Sequence, residues 1–433
     1  MTWTIYDTWI AVAGSLVAMG CALLGNFLLL RRMSMMGDAI SHTVLPGLVG
    51  AFLLTGSRDV VPMFVGAIII GLLTAFLVQT ISKHGSLDEG SVMGVVFTTL
   101  FAVGLLLIVQ AADRVDLDPS CVLYGAIELT PIDVRTVWGH EIPIAVLTNG
   151  LMFALNALVV FLLYKELKLT SFDAVYAKSV GIPAGFIHYL LMTLVAATCV
   201  AAFESVGSLL VIAMLIVPAA CAFQLTRRLP AMIAISLVVA LVSAWGGHAA
   251  AIWVPAQLGL EATSTAGSMA TMAGVIFCLV FLLSPRNGLL AKGIGQLALA
   301  VRFARINALG QLYRASERAD MQPASLPREA LKAMAESGPW LAPALWAMRL
   351  AGEVTRTADG LQLTEKGLVR ARRHIRTHRL WESYLADTAG MAPDKVHPSA
   401  NRLGYFTQGD LESDLERKAG QNQRDPHDRE IPS

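Results

Sequence analysis

Asp38 and His42 stand four residues apart in the stretch RRMSMMGDAISHTVLPG, between two strongly apolar runs. In a helix, positions i and i+4 share a face, so these side chains point the same way with Cβ atoms about 6 Å apart. A lone Asp near a bilayer centre costs about 2.5–3.5 kcal/mol on insertion scales, so this carboxylate needs compensation. Three chemistries supply it: the pair can share a divalent cation, relay protons, or bond internally and fasten two helices. Oxygen and imidazole nitrogen suit Mn, Fe(II) or Zn rather than Cu(I), which prefers sulfur clusters. Met33, Met35 and Met36 read as packing at the helix entrance. Pro46 and Gly47 follow, and an interrupted helix beside a polar pair is where a translocation path exposes backbone. Glu204 and His248 are the other ionisable residues in or bordering the outer halves of apolar runs, and both are candidates for the same path. Glu204 also fits a water-facing outer turn, and His248 an interfacial cap.

The elements that must carry these residues follow from composition. The chain is 55% hydrophobic with a mean hydropathy of +0.59, yet only 26 of its 65 charged residues fall in 1–285, against 39 in 286–433. That asymmetry predicts a membrane domain followed by a soluble one. The formal net charge of +1 says nothing about partners, and the later part carries a mild excess of 22 cations over 17 anions. Five cysteines, Cys21, Cys121, Cys199, Cys221 and Cys278, are scattered singly, which argues against a disulfide framework or a zinc cluster. Nine segments are long and apolar enough to span, at 9–30, 36–55, 60–81, 91–110, 142–164, 187–203, 205–223, 231–253 and 266–284. The first reads as a retained span rather than a cleaved signal peptide. With the N-terminus outside, inner ends collect Arg31, Arg32, Lys83, Lys165, Lys168, Lys178, Arg227 and Arg228, and outer ends keep Arg58, Arg114 and Arg135. This bias puts everything after Pro285 in the cytoplasm.

Two connections stand out. The outer segment 111–141 carries Asp113, Asp116, Asp118, Glu128, Asp133 and Glu141, either as a solvated acidic loop or as a cation-attracting vestibule. The inner stretch TSFDAVYAKSVGIP predicts a two-turn helix with Thr170 or Ser171 as N-cap, Asp173 in the first turn, Lys178 in the last and Gly181 as the stop. No G-x-x-x-x-G-K-[ST] occurs, so a nucleotide-driven pump requires a separate ATPase chain.

RRMSMMGDAISHTVLPG, VDLDPSCVLYG (115–125), FDAVYAKSVGIP and ESVGSLLVIAMLIVPAA (204–220) together resemble the manganese/zinc/iron ABC-transporter permease family over nearly all of 9–284. The resemblance implies an all-α, polytopic permease in the bacterial inner membrane, surrounded by lipid, with no permanently bound cofactor and Mn, Zn or Fe as substrate. It implies an ABC ATPase subunit, an extracytoplasmic metal-binding protein and a second permease subunit, the same chain or a sister. Asp38 and His42 map onto the intramembrane metal site. Phe172 to Ile182, with Asp173, Tyr176, Lys178 and Gly181, map onto the helix that docks on the ATPase. The rival readings are a proton-coupled transporter relaying through Asp38, His42 and Glu204, and a membrane-tethered metal sensor.

A second resemblance covers about 309–415. LQLTEKGLVRARRHIRTHRLWESYLADTAGMAPDKVHPSANRL is similar to the junction of winged helix and dimerisation helices in diphtheria-toxin-repressor-like, iron-dependent regulators. His378, Glu382 and His397 match three ligands of that family's ancillary metal site. The primary site's Cys, Glu and His fall on Asn401, Gly404 and Tyr405, so that site looks dismantled. Trp340, Ala342 and Pro343 replace the small polar side chains a reader of base edges needs, which counts against DNA binding. The expected organisation is therefore a membrane domain (1–285), a basic helical linker (286–305), a cytoplasmic regulator-like domain (306–406) and a disordered polar tail (407–433).

Overall fold

The computed structural model describes residues 3–432 except 34, 57–59, 86, 112–126, 138, 260–262, 323, 335–337, 406, 408–409, 420–423 and 428. The chain divides into two compact units, Met1–Ala291 and Lys292–Ser433.

The first unit is a bundle of α1 (Ile5–Leu30), α2 (Met36–Thr55), α3 (Val60–Gly85), α4 (Glu89–Ala111), α5 (Ile144–Leu162), α6 (Tyr164–Phe172), α7 (Ala174–Ser179), α8 (Ala184–Leu225), α9 (Leu229–Leu258) and α10 (Thr265–Leu283). A short antiparallel hairpin of β1 (Val134–Val137) and β2 (His140–Pro143) precedes α5. Among the described residues nine helical stretches are long and apolar enough to cross a bilayer. At 42 residues α8 is far longer than the roughly 20 needed for one crossing. It breaks at Gly207, whose φ of 74° and ψ of 169° leave the helical region, so the stretches before and after that residue can each serve as one span. The near-absence of a loop between the expected sixth and seventh spans is this break.

Leu24, Phe27 and Leu28 of α1, Met36 and Ile40 of α2, and Leu191, Met192, Leu210, Met214 and Leu215 of α8 form the buried centre. Lipid tails are as apolar as leucine, so close backbone approach and polar cross-links must hold such helices together. Both are present. A Cβ on Gly25 would lie 1.8 Å from the Leu215 carbonyl oxygen, and one on Gly47 would lie 2.5 Å from that of Gly66. The Asn26 amide donates to Ser236 Oγ at 2.7 Å, Asn149 to Ser205 Oγ at 3.1 Å, Asn156 to Thr198 Oγ1 at 2.8 Å, and the Thr74 hydroxyl to Thr43 at 2.9 Å. Each such link is worth about 0.6–2 kcal/mol.

The second unit comprises α11 (Leu289–Arg318), which starts just ahead of the boundary, β3 (Ser325–Leu326), α12 (Arg328–Met334), α13 (Leu341–Leu350), β4 (Val354–Thr357), β5 (Gly360–Leu363), α14 (Glu365–Asp387), α15 (Pro393–Gly404) and α16 (Asp410–Ala419). The sheet order is β3-β5-β4, all antiparallel. Three helices followed by a two-stranded wing make the winged-helix half, closed over Leu309, Leu312, Tyr313, Leu331, Leu345, Met348, Leu361 and Ile375. Thr364 starts α14 by accepting from the Gly367 N–H at 3.1 Å.

Residues 289–305 form the first half of α11, whose later residues Ala308, Leu309 and Leu312 are buried in the core of the second unit. The described part of 407–433 differs from expectation, for it is not an unstructured tail. Leu415 and Ala419 of α16 and Ile431 pack on Leu380, Arg376 holds Glu416 at 3.2 Å and the Pro432 carbonyl at 2.8 Å, and Trp381 Nε1 donates to Thr407 Oγ1 at 2.7 Å. Polar composition suggested disorder because it offers few apolar residues, but a neighbouring helix supplies the partners.

Candidate functional site

Asp38 and His42 sit in the first two turns of α2, and the helix brings them together as the spacing requires: His42 Nε2 lies 3.3 Å from Asp38 Oδ1. Their side chains remain about a third exposed, 35% and 32%, on a helix otherwise largely buried. Phe97 and Phe101 of α4 wall the imidazole at ring distances of 5.6 and 6.0 Å. One turn on, Pro46 packs against Gly104 of α4, where an added Cβ would come within 2.8 Å of the proline ring. The result is a carboxylate and an imidazole on one face, apolar behind and open in front. Two hard or borderline ligands with open positions can take up a divalent ion and release it.

The start of α2 is tied to α6. Arg31, the C-cap of α1, donates from Nε to Ser171 Oγ at 3.1 Å and from Nη2 to Thr170 Oγ1 at 2.8 Å. Burial pushes this guanidinium down to about 10, so it stays cationic at neutral pH. Arg32 takes a left-handed φ of 61° and the Met33 N–H reaches the Leu28 carbonyl at 2.9 Å, a tight turn that sends the chain into α2. A cavity of about 390 Å³ lies here, lined by Arg31, Gln79, Thr170, Lys178 and His188.

The N-cap of the short inner helix is Asp173, not Thr170 or Ser171. The Asp173 carboxylate accepts from the N–H groups of Val175 at 3.0 Å and Tyr176 at 2.8 Å and so starts α7. Thr170 and Ser171 belong to the last turn of α6, where their hydroxyls donate to the carbonyls of Glu166 and Leu167. Lys178 lies in the last turn of α7 and Gly181 ends it with φ +88°, the Ile182 N–H closing on the Ala177 carbonyl at 3.0 Å. Phe172, Val175 and Tyr176 are exposed and give this segment an apolar outer face.

His248 is 98% buried in α9, with Nε2 3.3 Å from Oδ1 of Asp7 in the first turn of α1. Trp3 covers it edge-on at 5.3 Å and stacks on Trp245. Asp7 lies in the first turn of α1, and about 35 Å of helix separates it from Leu30, so the His248–Asp7 pair stands at the start of α1 whereas the Asp38–His42 pair follows its end in the chain. The side chain of Glu204, and Asp113, Asp116 and Asp118 of the outer segment, lie outside the described residues. Glu128 of that segment accepts from the Thr265 N–H at 2.7 Å and caps α10.

In the second unit His378, Glu382 and His397 offer ligand atoms that all lie within 4.8 Å of one another. Glu382 Oε1 is 3.2 Å from His378 Nε2 and 2.6 Å from His397 Nδ1, and the two ring nitrogens are 3.2 Å apart. Burial opposes ionisation of Glu382, but bonding to both histidines outweighs it and holds the carboxyl well below the usual range. His378 and Glu382 are buried while His397 is 40% exposed, a cluster open on one side. Neighbouring arginines do not occupy it. Arg379 makes a two-pronged bridge to Glu317, both contacts 2.8 Å, and Arg376 goes to Glu416. At the expected primary site Tyr405 donates its hydroxyl to Asn307 Oδ1. The outer face of α13 shows Ala342, Pro343, Trp346 and Leu350 to solvent.

Residues 6–284 match the ABC 3 transport family. The chain belongs to that family. This ABC 3 family permease is 44% identical over 288 residues to the manganese transport system membrane protein MntD of Bacillus subtilis, covering 66% of this chain and 95% of the relative. To the manganese transport system membrane protein MntC of the same organism it is 29% identical over 416 residues, 94% of this chain and 90% of the relative, so that likeness runs into the second unit. The solved structure of PsaBC from Streptococcus pneumoniae in complex with Fab superposes with a TM-score of 0.53 at 29% identity, over 66% of this chain and 94% of that one. Residues 364–433 match the metal binding and dimerisation domain of iron dependent repressors. The permease is thus fused to a regulator-like domain, and it is a transport subunit.

Sequence reasoning missed Asp7, the partner of His248, and Arg31, the link between α1 and α6. For Asp7 the signal was local, since Thr4 and Asp7 form a capping box at the start of α1. For Arg31 the sequence shows only an inner charge.

Proposed function

We propose that this permease carries Mn, Zn or Fe inward across a bacterial plasma membrane, driven by a separate ATPase subunit. The observation that carries the reading is the Asp38–His42 pair, 3.3 Å apart, a third exposed and lodged inside the family-matched bundle. In it the metal replaces the internal bond of the pair: Asp38 supplies charge and an oxygen ligand, His42 a neutral nitrogen. Two ligands leave coordination positions open. A second permease subunit facing the exposed side supplies another pair, and an extracytoplasmic metal-binding protein delivers the ion.

Cation placement supports an outside N-terminus, which puts α7 and the second unit in the cytoplasm. There α7, with Phe172 and Tyr176 outward, docks on the ATPase. Arg31 carries the motion onward, because its hydrogen bonds to Thr170 and Ser171 join the segment before α7 to the turn leading into Asp38. The His378, Glu382 and His397 cluster reports imported metal, and the apolar face of α13 fits a module that does not read DNA.

Reconstitution with the ATPase in liposomes tests the reading. ATP-dependent uptake of one or more of these metals is expected, with Asp38→Asn and His42→Ala abolishing uptake while the complex still assembles. Full uptake by both variants would remove the pair from the transport path.

A further inference from the structure

The cavity of about 390 Å³ beside Arg31 falls within the size range of small-molecule sites. Helix ends build its wall: Arg31 and Arg32 follow α1, Lys178 is in the last turn of α7, and Ala184 and Gly185 open α8. Since α1 and α8 supply spans, their ends place this cavity at the level of lipid headgroups rather than in the hydrocarbon.

Three features of the wall select an anion. Arg31, Arg32 and Lys178 bring positive charge, and no carboxylate lines the cavity among the described residues. Arg31 spends Nε and Nη2 on the Ser171 and Thr170 hydroxyls, which cancel no charge, and Arg32 and Lys178 form no ion pair among the described residues. Asp173, the acid nearest to Lys178 in the chain, is engaged in capping α7. The second feature is the start of α8, which has Pro183 at its N-cap and no side-chain cap. An added Cβ on Gly185 would meet nothing within 4 Å, so the backbone of this first turn is open to a ligand. Free N–H groups and the positive end of the helix dipole favour negative charge there. The third feature is His188, one turn along α8 on the same face as Ala184. It keeps only 9% exposure, and its Nε2 is buried without a hydrogen-bond partner. A buried polar nitrogen left alone is costly, and this one lines the cavity.

We propose that this cavity binds a phosphoryl anion, held by Arg31, Arg32, Lys178 and His188 across the start of α8. Guanidinium forks grip phosphoryl oxygens in two-pronged fashion, while an ammonium and a helix N-terminus add charge and N–H donors. Two sources carry this chemistry: the phosphodiester of a lipid headgroup and free phosphate. Bound there, the anion joins the turn after α1 to α7 and α8. Arg31 and Lys178 also serve the coupling reading, so binding is measured without an ATPase or transport and is decided independently of it.

The full chain, purified in uncharged detergent, is titrated with a fluorescent short-chain phosphatidylglycerol by anisotropy and, separately, with radiolabelled inorganic phosphate by equilibrium dialysis. Saturable binding that weakens with salt is expected in at least one arm, and the tighter arm identifies the source. It should drop at least about 10-fold in the double variant Arg32→Asn/His188→Leu. Asparagine tolerates the left-handed φ of 61° at position 32, and an unchanged unfolding temperature verifies the fold; should the double variant unfold, Arg32→Asn alone must show a clear loss. The proposal is overturned by absence of saturable binding in both arms or by wild-type affinity in the folded variant. Equal competition by chain-matched phosphatidylcholine, with no phosphate binding, would also overturn it, because the acyl chains rather than an anion would then be what binds.

Discussion

At Asp38 and His42 the same atoms can satisfy each other or a metal, and transport needs both states to be close in energy. A pair that only fastened helices would tolerate Asp38→Asn, because an amide still bonds to imidazole. A metal site would not, since the charge is gone. Uptake by Asp38→Asn is therefore expected to fall at least about 100-fold with little change in unfolding temperature. His42→Ala should lower stability by less than the about 2.5–3.5 kcal/mol of an acid at a bilayer centre, because Asp38 keeps 35% exposure; thermal unfolding by tryptophan fluorescence reads this directly. In the second unit His374 makes a pH prediction. Burial, then the neighbouring His378 and Arg314, push it down to about 4. A base whose folded value is depressed takes its proton more readily when unfolded, so stability is full above pH 6.5 and falls between 6.5 and 4. The loss is up to about 3 kcal/mol, and His374→Gln should flatten that part of the profile in denaturant titrations at stepped pH.

Between residues and molecule lies the short segment from α6 to α8. Its geometry depends on Asp173 at one end and Gly181 at the other, where φ is +88°. Gly181→Val places a β-branched side chain in the left-handed region and costs about 1 kcal/mol or more locally. The expected result is ATP hydrolysis that continues while metal uptake falls, measured as ATP consumed per ion in liposomes. Arg31→Met tests the onward link. It removes two hydrogen bonds from a charged donor, each worth about 1.5–3 kcal/mol, and should raise the same ratio without altering α7. If neither variant changes the ratio, the segment has no coupling role.

For the molecule as a whole, the second unit is held in part by the packing of residues after 406. Deleting 408–433 removes Leu415, Ala419 and Ile431 from Leu380, and Asp425 and the Glu430 carbonyl from Arg379. Burial of Leu or Ile contributes about 1.5–3 kcal/mol each, so the truncated chain should lose protease resistance in the second unit. Its Mn affinity at the proposed site of His378, Glu382 and His397 should also drop, because α14 carries both the packing and two of the proposed ligands. Limited proteolysis and metal titration of the full-length and truncated chains check this, and wild-type behaviour in both would restore the disordered-tail reading.

What the sequence determined by itself was whatever depends on near neighbours or on composition. Hydropathy and length located the spans, uneven charge located the change of unit, and 3.6-residue periodicity placed Asp38 with His42 and His378 with Glu382. The expected N-cap of α7 is off by two or three residues because Thr170, Ser171 and Asp173 are all good caps; what decides is which backbone is already helical, and Thr170 and Ser171 belong to α6. Tertiary structure alone decided the pairings across long separations: Arg31 with Ser171, 140 residues on, His248 with Asp7, and Glu353 between Arg305 and Arg370. Such partners are selected by which helices pack together, an outcome of burial and close approach summed over whole faces. The tail makes the same point, since its few apolar residues could not form a core of their own and became structured only against α14.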